Sequence, residues 1–411
     1  MSVPAMPDNP SQLLVLEAQG LQDVCGRLRQ GGIFAFDTEF IRENSYLPKI
    51  CLVQVASPQQ IALIDPLAVD LAPFWELVLD AAVEKVVFAG EQDLELCHLQ
   101  TGKAPRNIFD VQLAAGLAGL PYQSSYGNLV RLMLGHELEQ GHAFSDWLRR
   151  PLTRAQLSYA VEDVLHLLEM KAALQDKLGA AGRLDWLAEE MRPYERPETY
   201  ARPPELSWQR VRGHDRLGRR ELGVLRELAV WREQVARQLD LPSRTAMRDE
   251  CLCGIARRPP RTLQQLAAVR GLPRPDVQRF GQQILQAVNR GLAAPAEHCP
   301  PLPTAGETPT NKMLADLVGA AGQSLCLEEA VSPRLLANQS DFMDLVAYLR
   351  RPDRPGGGEA KIAPPSDDDL PRLLKGWRRQ FAGLRLAELV TGQAALRIAG
   401  YPGNPHLRYE K

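Results

Sequence analysis

The sequence predicts an α/β domain with a mixed sheet flanked by helices, followed by two small all-helical domains. Three observations carry this. Between residues 33 and 90, four short apolar runs are separated by turns and helical patterns. From there to about residue 192 the apolar spacing is helical. Beyond a Pro-rich break at 193–208, two further blocks show helical spacing. The expected boundaries are 1–192 for the α/β domain, a linker 193–208, a first helical domain 209–294, a linker 295–310 and a second helical domain 311–411.

Gly31 and Gly32 end a first helix. IFAFD (33–37) then has the pattern of a buried strand. ICLVQVA (50–56) and IALID (61–65) are separated by a turn at Ser57, Pro58 and Gln59, a spacing that favours antiparallel neighbours. KVVFAG (85–90) is a fourth strand that passes into the helical EQDLELCHLQ. The clearest helix is TRAQLSYAVEDVLHLLEMKAALQDKLG. Leu157, Val161, Val164, Leu165 and Leu168 stand there at helical spacing, with Thr153 as N-cap. In the last block, 311–350 and 367–398 read as helical around a flexible loop at 351–369. Each helical block opens on a Leu-rich helix and holds a Trp-Arg pair, Trp231-Arg232 and Trp377-Arg378, the sign of two related modules.

A hydrophobic content of 45% and a charged content of 24% are those of a globular chain. No apolar run approaches the roughly 18–20 residues that cross a bilayer, and MSVPAMPDNP lacks the pattern of a secretory signal. The seven cysteines are odd in number and include no CxxC, which reads as reduced thiols rather than a disulfide framework or a zinc site. A cytoplasmic protein is expected. Residues 1–200 carry 16 Lys and Arg against 27 Asp and Glu, a net −11, whereas residues 201–300 carry 18 Arg against 10 acids, a net +8. An acidic block before a basic one suggests catalysis or metal in the first and a polyanion in the second.

FDTEF places Asp37 and Glu39 at i and i+2 of a strand end, hence on one face. Two adjacent carboxylates repel unless a cation neutralises them. Asp93 falls in the first turn of a helix after a strand, where an acid also suits the helix dipole. Tyr159 and Asp163 are i and i+4, on one helix face. Each feature alone has an ordinary structural explanation. Together, four oxygen ligands suit two hard divalent cations, Mg²⁺ or Mn²⁺, of the kind that cleave phosphodiesters. Tyr159, with an ordinary phenol pKa of about 10, would position the attacking water. Asp110 reads as a helix N-cap and not as a ligand. Phe40 is a candidate to stack on a terminal base.

DTEFIRENSYLPKICLVQVA, AGEQDLELC with NIFDVQLAAGL, and SDWLRRPLTRAQLSYAVEDVLHL resemble the three exonuclease motifs of the ribonuclease D family, in the tyrosine branch of the DEDD exonucleases. The resemblance implies an RNase H-like fold. It also implies that Asp37, Glu39, Asp93 and Asp163 hold two metals and that nucleoside 5′-monophosphates are released from an RNA 3′ end. LRELAVWREQVARQLDLPSRTAMRDECLCGIARRPPRTLQQLAAVRGL resembles an HRDC domain, and the last block resembles a second, divergent one. The sequence departs from the family pattern at Phe88, where His is common, at Val111, where Thr is usual, and at Gln140 and Phe144, where basic residues are common.

The resulting expectation is a 3′→5′ exoribonuclease that trims tRNA precursors or other structured RNA with a 3′ tail, with no obligate protein partner. Arg257, Arg258, Arg261, Arg270 and Arg274 are its candidate phosphate contacts. The alternatives are a DNA-directed 3′→5′ exonuclease in repair and an inactive nucleic-acid-binding scaffold. The absence of a Walker A loop weighs against the first, and the complete acidic set against the second.

Overall fold

The structure is a computed structural model that describes residues 4, 7–138, 146–201, 203–300, 308–351, 370–400, 402–403 and 406–410. Gln140, Phe144 and most of the loop expected at 351–369 lie outside them. The chain forms two compact units. One holds residues 1–38, 52–196 and 306–411, the other 39–51 and 197–305.

In the first unit lies a six-stranded mixed sheet: β1 (Leu14–Val15), β2 (Ile33–Ile41), β3 (Lys49–Ala56), β4 (Ile61–Ile64), β5 (Glu84–Val87) and β6 (Ile108–Asp110), in the order β1-β4-β3-β2-β5-β6. β3 and β4 are antiparallel, as their short connection predicts, while β2, β5 and β6 run parallel. β1 and β6 escape a pattern search because two or three residues are too few to show periodicity. Around the sheet run α1 (Ala18–Gly31), α2 (Ala72–Leu79), α3 (Glu91–Thr101), α4 (Val111–Leu117), α5 (Tyr126–Leu134), α6 (Arg154–Leu165), α7 (Leu167–Ala180) and α8 (Leu184–Met191). Gly32 ends α1 at φ 69°, a left-handed position that glycine adopts without strain. Phe34, Phe36 and Phe74 are fully buried, with ring centroids 5.6–6.2 Å apart. Each contributes roughly 1.5–3 kcal/mol by leaving water. The long helix expected from Thr153 onward is two helices, broken at His166. Apolar spacing continues across that break and so conceals it.

The second unit contains α9 (Pro197–Tyr200), α10 (Arg219–Leu239), α11 (Ser243–Ala246), α12 (Asp249–Arg257), α13 (Leu263–Ala267) and α14 (Arg274–Ala293). α10 packs closely on α14. A Cβ on Gly291 would lie 2.5 Å from Val224 Cα, so only glycine permits the crossing. The stretch 193–208, expected as a linker, is made largely of short helical turns, and Trp208 enters the core of this unit. The loop between β2 and β3 belongs here too. Tyr46 N donates to Asp240 Oδ1 at 3.0 Å and its hydroxyl donates to Glu233 Oε2 at 3.2 Å.

The C-terminal block returns to the first unit as α15 (Pro309–Glu328), α16 (Pro333–Leu336), α17 (Gln339–Leu349), α18 (Gly376–Arg378) and α19 (Leu384–Val390), the last two joined by a π-helical turn at Arg379–Gly383. The helical reading of 367–398 fails at its end. Ala395–Ala399 is β7, paired antiparallel with β8 (His406–Glu410). The Trp-Arg echo also misleads, because Trp231-Arg232 sits in the first long helix of its block whereas Trp377-Arg378 lies in α18, well after α15. The block docks on the α/β domain. Arg378 meets the Glu190 carboxylate at 2.5 and 3.0 Å, and Trp377 stacks on Trp186 at 4.8 Å.

Candidate active site

β2 carries the centre. Its alternation puts Asp37 and Glu39 on one face and Thr38 on the other. Carboxylate oxygens of Asp37, Glu39 and Asp163 lie within 4.8 Å of one another. Asp163 reaches this cluster from α6, whose start is fixed by a capping box: Gln156 N donates to Thr153 Oγ1 at 3.2 Å, and Thr153 N donates to Gln156 Oε1 at 3.0 Å. The segment before α6 is also tied down. Arg150 makes a two-pronged contact of 2.6 and 2.8 Å with Asp65, just after β4.

The fourth predicted acid behaves differently. Asp93, in the first turn of α3, stands outside the three-acid cluster, and its carboxylate accepts a hydrogen bond from the Thr38 hydroxyl. The chain reaches α3 through Gly90, where a Cβ would press to 2.5 Å from the Val87 side chain. Burial pushes Asp93 up to about 6, against the lowering effect of Thr38. Burial likewise pushes Asp163 up to about 7, with Glu162 and Asp93 adding repulsion and a hydrogen bond from Tyr159 opposing it. Tyr159 therefore touches the acid one turn away, as its spacing predicts. Such a group of crowded, half-desolvated carboxylates is relieved by a hard divalent cation, and the donor set, all oxygen, is of the right kind for one.

Other predicted residues separate into distinct roles. Asp110 caps α4, accepting from the backbone N–H groups of Ala89, Gly90, Gln112 and Leu113 at 2.8–3.2 Å. Its oxygens are thus committed to holding the turn before α3. Phe40 is half-buried beside the cluster, with Arg42 5.0 Å from its ring centre. Arg257, Arg258, Arg261, Arg270 and Arg274 are all exposed at the ends of α12, α13 and α14, and no ion pair among the described residues engages them.

Two supports carry no signal in the sequence, and a third was visible there only as a departure. Thr38, between two acids, carries no motif signal beyond its strand position. Tyr126 is half-buried, its hydroxyl donating to Glu162 O at 2.9 Å and accepting from His166 N at 3.3 Å, which secures the end of α6 next to Asp163. Phe88 packs edge-on against Tyr126, with ring centroids 5.4 Å apart.

Residues 14–179 match the model of a 3′-5′ exonuclease family, and residues 221–288 that of the HRDC domain. Ribonuclease D of Gluconacetobacter diazotrophicus is 36% identical over 395 residues, covering 95% of this chain and 96% of its own. Ribonuclease D of Sphingobium indicum is 37% identical over 393 residues, with 94% and 96% covered. The structure of Escherichia coli RNase D, an exoribonuclease involved in structured RNA processing, superposes with a TM-score of 0.78 at 27% identity, covering 92% of this chain and 98% of that one. Similarity of this extent runs through the acid-bearing domain and the helical blocks alike, and the chain belongs to the ribonuclease D family of 3′→5′ exoribonucleases.

Proposed function

We propose that the enzyme uses two divalent cations, Mg²⁺ or Mn²⁺, held by Asp37, Glu39, Asp93 and Asp163, to release nucleoside 5′-monophosphates from RNA 3′ ends. The gathering of three of these acids within 4.8 Å carries the reading. When bound, such cations supply positive charge against the phosphodiester and make water more acidic. The chain's own residues do the placing. Thr38 holds the Asp93 carboxylate. Tyr159, hydrogen-bonded to Asp163, offers its hydroxyl oxygen to orient the attacking water. Phe40 offers an aromatic face to the terminal base.

The domains at 1–192, 209–294 and 311–411 divide the work, and the exposed Arg set of the first helical domain grips RNA phosphates. The substrates are tRNA precursors or other structured RNA with a 3′ tail, a reading supported by the description of the E. coli relative. Seven free, buried cysteines favour a cytoplasmic setting, and among the described residues no helix is long and apolar enough to cross a membrane. Digestion of 3′-labelled RNA with Mg²⁺ or Mn²⁺, beside matched DNA, tests the reading. Asp37→Asn abolishes cleavage while filter binding of RNA persists; an active Asp37→Asn enzyme overturns the site. The triple variant Arg257→Ala/Arg258→Ala/Arg261→Ala weakens binding and lowers the salt slope by roughly 2–3. Unchanged affinity and slope would remove those residues from the RNA path.

A further inference from the structure

A cavity of about 740 Å³ opens where the turn between α4 and α5 meets α15 and α16. This volume is in the range of ligand sites, roughly 300–1,000 Å³. Its walls include Tyr122, Gln123 and Asn128 from the α/β domain and Gln323, Leu327 and Arg334 from the C-terminal block. No carboxylate lines it, although residues 1–200 carry a net charge of −11. Leu327 is 76% exposed, an apolar side chain left open to solvent at the rim. Gln123 stands at φ 64° in the turn, and its Oε1 accepts a long hydrogen bond of 3.5 Å from Arg334 Nη1.

The wall of the cavity is tied to the helix of Asp163 through α5. Ser125, in its wall, precedes Tyr126, whose hydroxyl donates to Glu162 O, one residue before Asp163. Amides, a guanidinium, a phenol ring and an exposed apolar side chain, without an acid, are the groups that meet phosphates, 2′-hydroxyls and bases of single-stranded RNA. We propose that this cavity is an upstream nucleotide subsite. It receives the single-stranded RNA that lies 5′ of the terminal dinucleotide, with Arg334 on phosphate and Gln123, Asn128 and Gln323 on sugar or base edges. The subsite rests on the exoribonuclease activity, which delivers the 3′ end to Asp37 and Asp163.

Arg334 and Gln323 are exposed, so changing them leaves the fold intact. The test compares the full-length wild type with Arg334→Glu, Gln323→Glu and Arg334→Lys on two probes, a long single-stranded oligoadenylate and the dinucleotide pApA. In the two Glu variants the ratio of the KM for the long strand to that for pApA rises about tenfold, and more at low salt, whereas Arg334→Lys stays within about twofold of wild type. An unchanged ratio overturns the subsite, as does an equal rise for both probes. A wild-type enzyme that cleaves neither probe instead sinks the exoribonuclease reading together with the subsite.

Discussion

Glu190 holds the C-terminal block on the α/β domain, and its removal has a calculable consequence. Its carboxylate accepts from Arg378 Nη1 at 2.5 Å, Arg378 Nη2 at 3.0 Å and Trp377 Nε1 at 2.8 Å. Arg378 is only 5% exposed and also donates to Leu335 O and Leu336 O, each at 2.9 Å. Burial alone would raise Glu190, but the hydrogen bond and charge of Arg378 outweigh it and keep the carboxyl below its usual range. A depressed carboxylate pKa stabilises the fold at pH values above the unfolded-state pKa, about 4.3 for Glu, and that contribution fades as pH falls through the folded value. Glu190→Ala leaves a buried guanidinium without its counter-charge, a loss of about 3–5 kcal/mol. On the scale of 1.4 kcal/mol per tenfold, docking weakens by roughly a hundred- to a few thousand-fold. The Trp186–Trp377 stack, with rings at 14°, reports directly on docking through near-ultraviolet circular dichroism. Glu190→Ala should lose that signal and expose the C-terminal block to protease. The double variant Glu190→Leu/Arg378→Met should regain much of the stability, because paired apolar replacement removes the orphaned charge. An undiminished tryptophan signal in Glu190→Ala, or no recovery in the double variant, refutes the reasoning.

Further outcomes follow from other buried charges. Arg232 and Asp249 are 3% and 4% exposed and meet at 2.6 Å, but Asp249 has extra partners in Arg212 N at 3.2 Å and Arg244 at 3.3 Å. Asp249→Ala should therefore cost about 3–5 kcal/mol in urea unfolding, and Arg232→Met clearly less; the reverse order contradicts the partner count. Lys85 is fully buried on β5, donates to Asp80 O and Val83 O, and is lowered to about 8 by desolvation. Because the unfolded chain binds more protons between about 8 and 10.4, wild-type stability should gain relative to Lys85→Met as pH rises through that window. A wild-type-minus-variant difference flat with pH would disprove it. In metal-free protein the acids near Asp163 repel, so Asp163→Asn should raise the Tm of chelator-treated enzyme while abolishing cleavage. An unchanged or lower Tm would show that the repulsion is already screened.

The three acids that the structure gathers could be proposed from sequence because each stands in a local periodic pattern, although β2 runs on past Asp37 and Glu39 to Ile41. A DTE in an apolar strand, an Asp in the first turn of a helix, and a Tyr four residues before an Asp are patterns of period two and period 3.6 that a sequence displays directly. Thr153 and Asp110 were legible for the same reason, since caps are local hydrogen-bonding events. Thr38 was not, because its value lies in meeting Asp93 across 55 residues. Nor was the two-residue β1, which exists only because β4 offers it a partner.

Docking was harder still to read, and the Trp-Arg echo shows why. Both arginines are buried and each is paired with one carboxylate, so sequence similarity between the two dipeptides suggests one role twice over. Arg232 instead finds Asp249 only 17 residues on, within its own helical unit, whereas Arg378 finds Glu190 across 188 residues, on α8. A buried guanidinium requires a counter-charge but does not specify where in the chain it comes from. Local pattern thus announces the demand and conceals the supplier. In this chain the supplier, Glu190, lies in α8, and it ties α18 of the C-terminal block to the compact unit that both belong to.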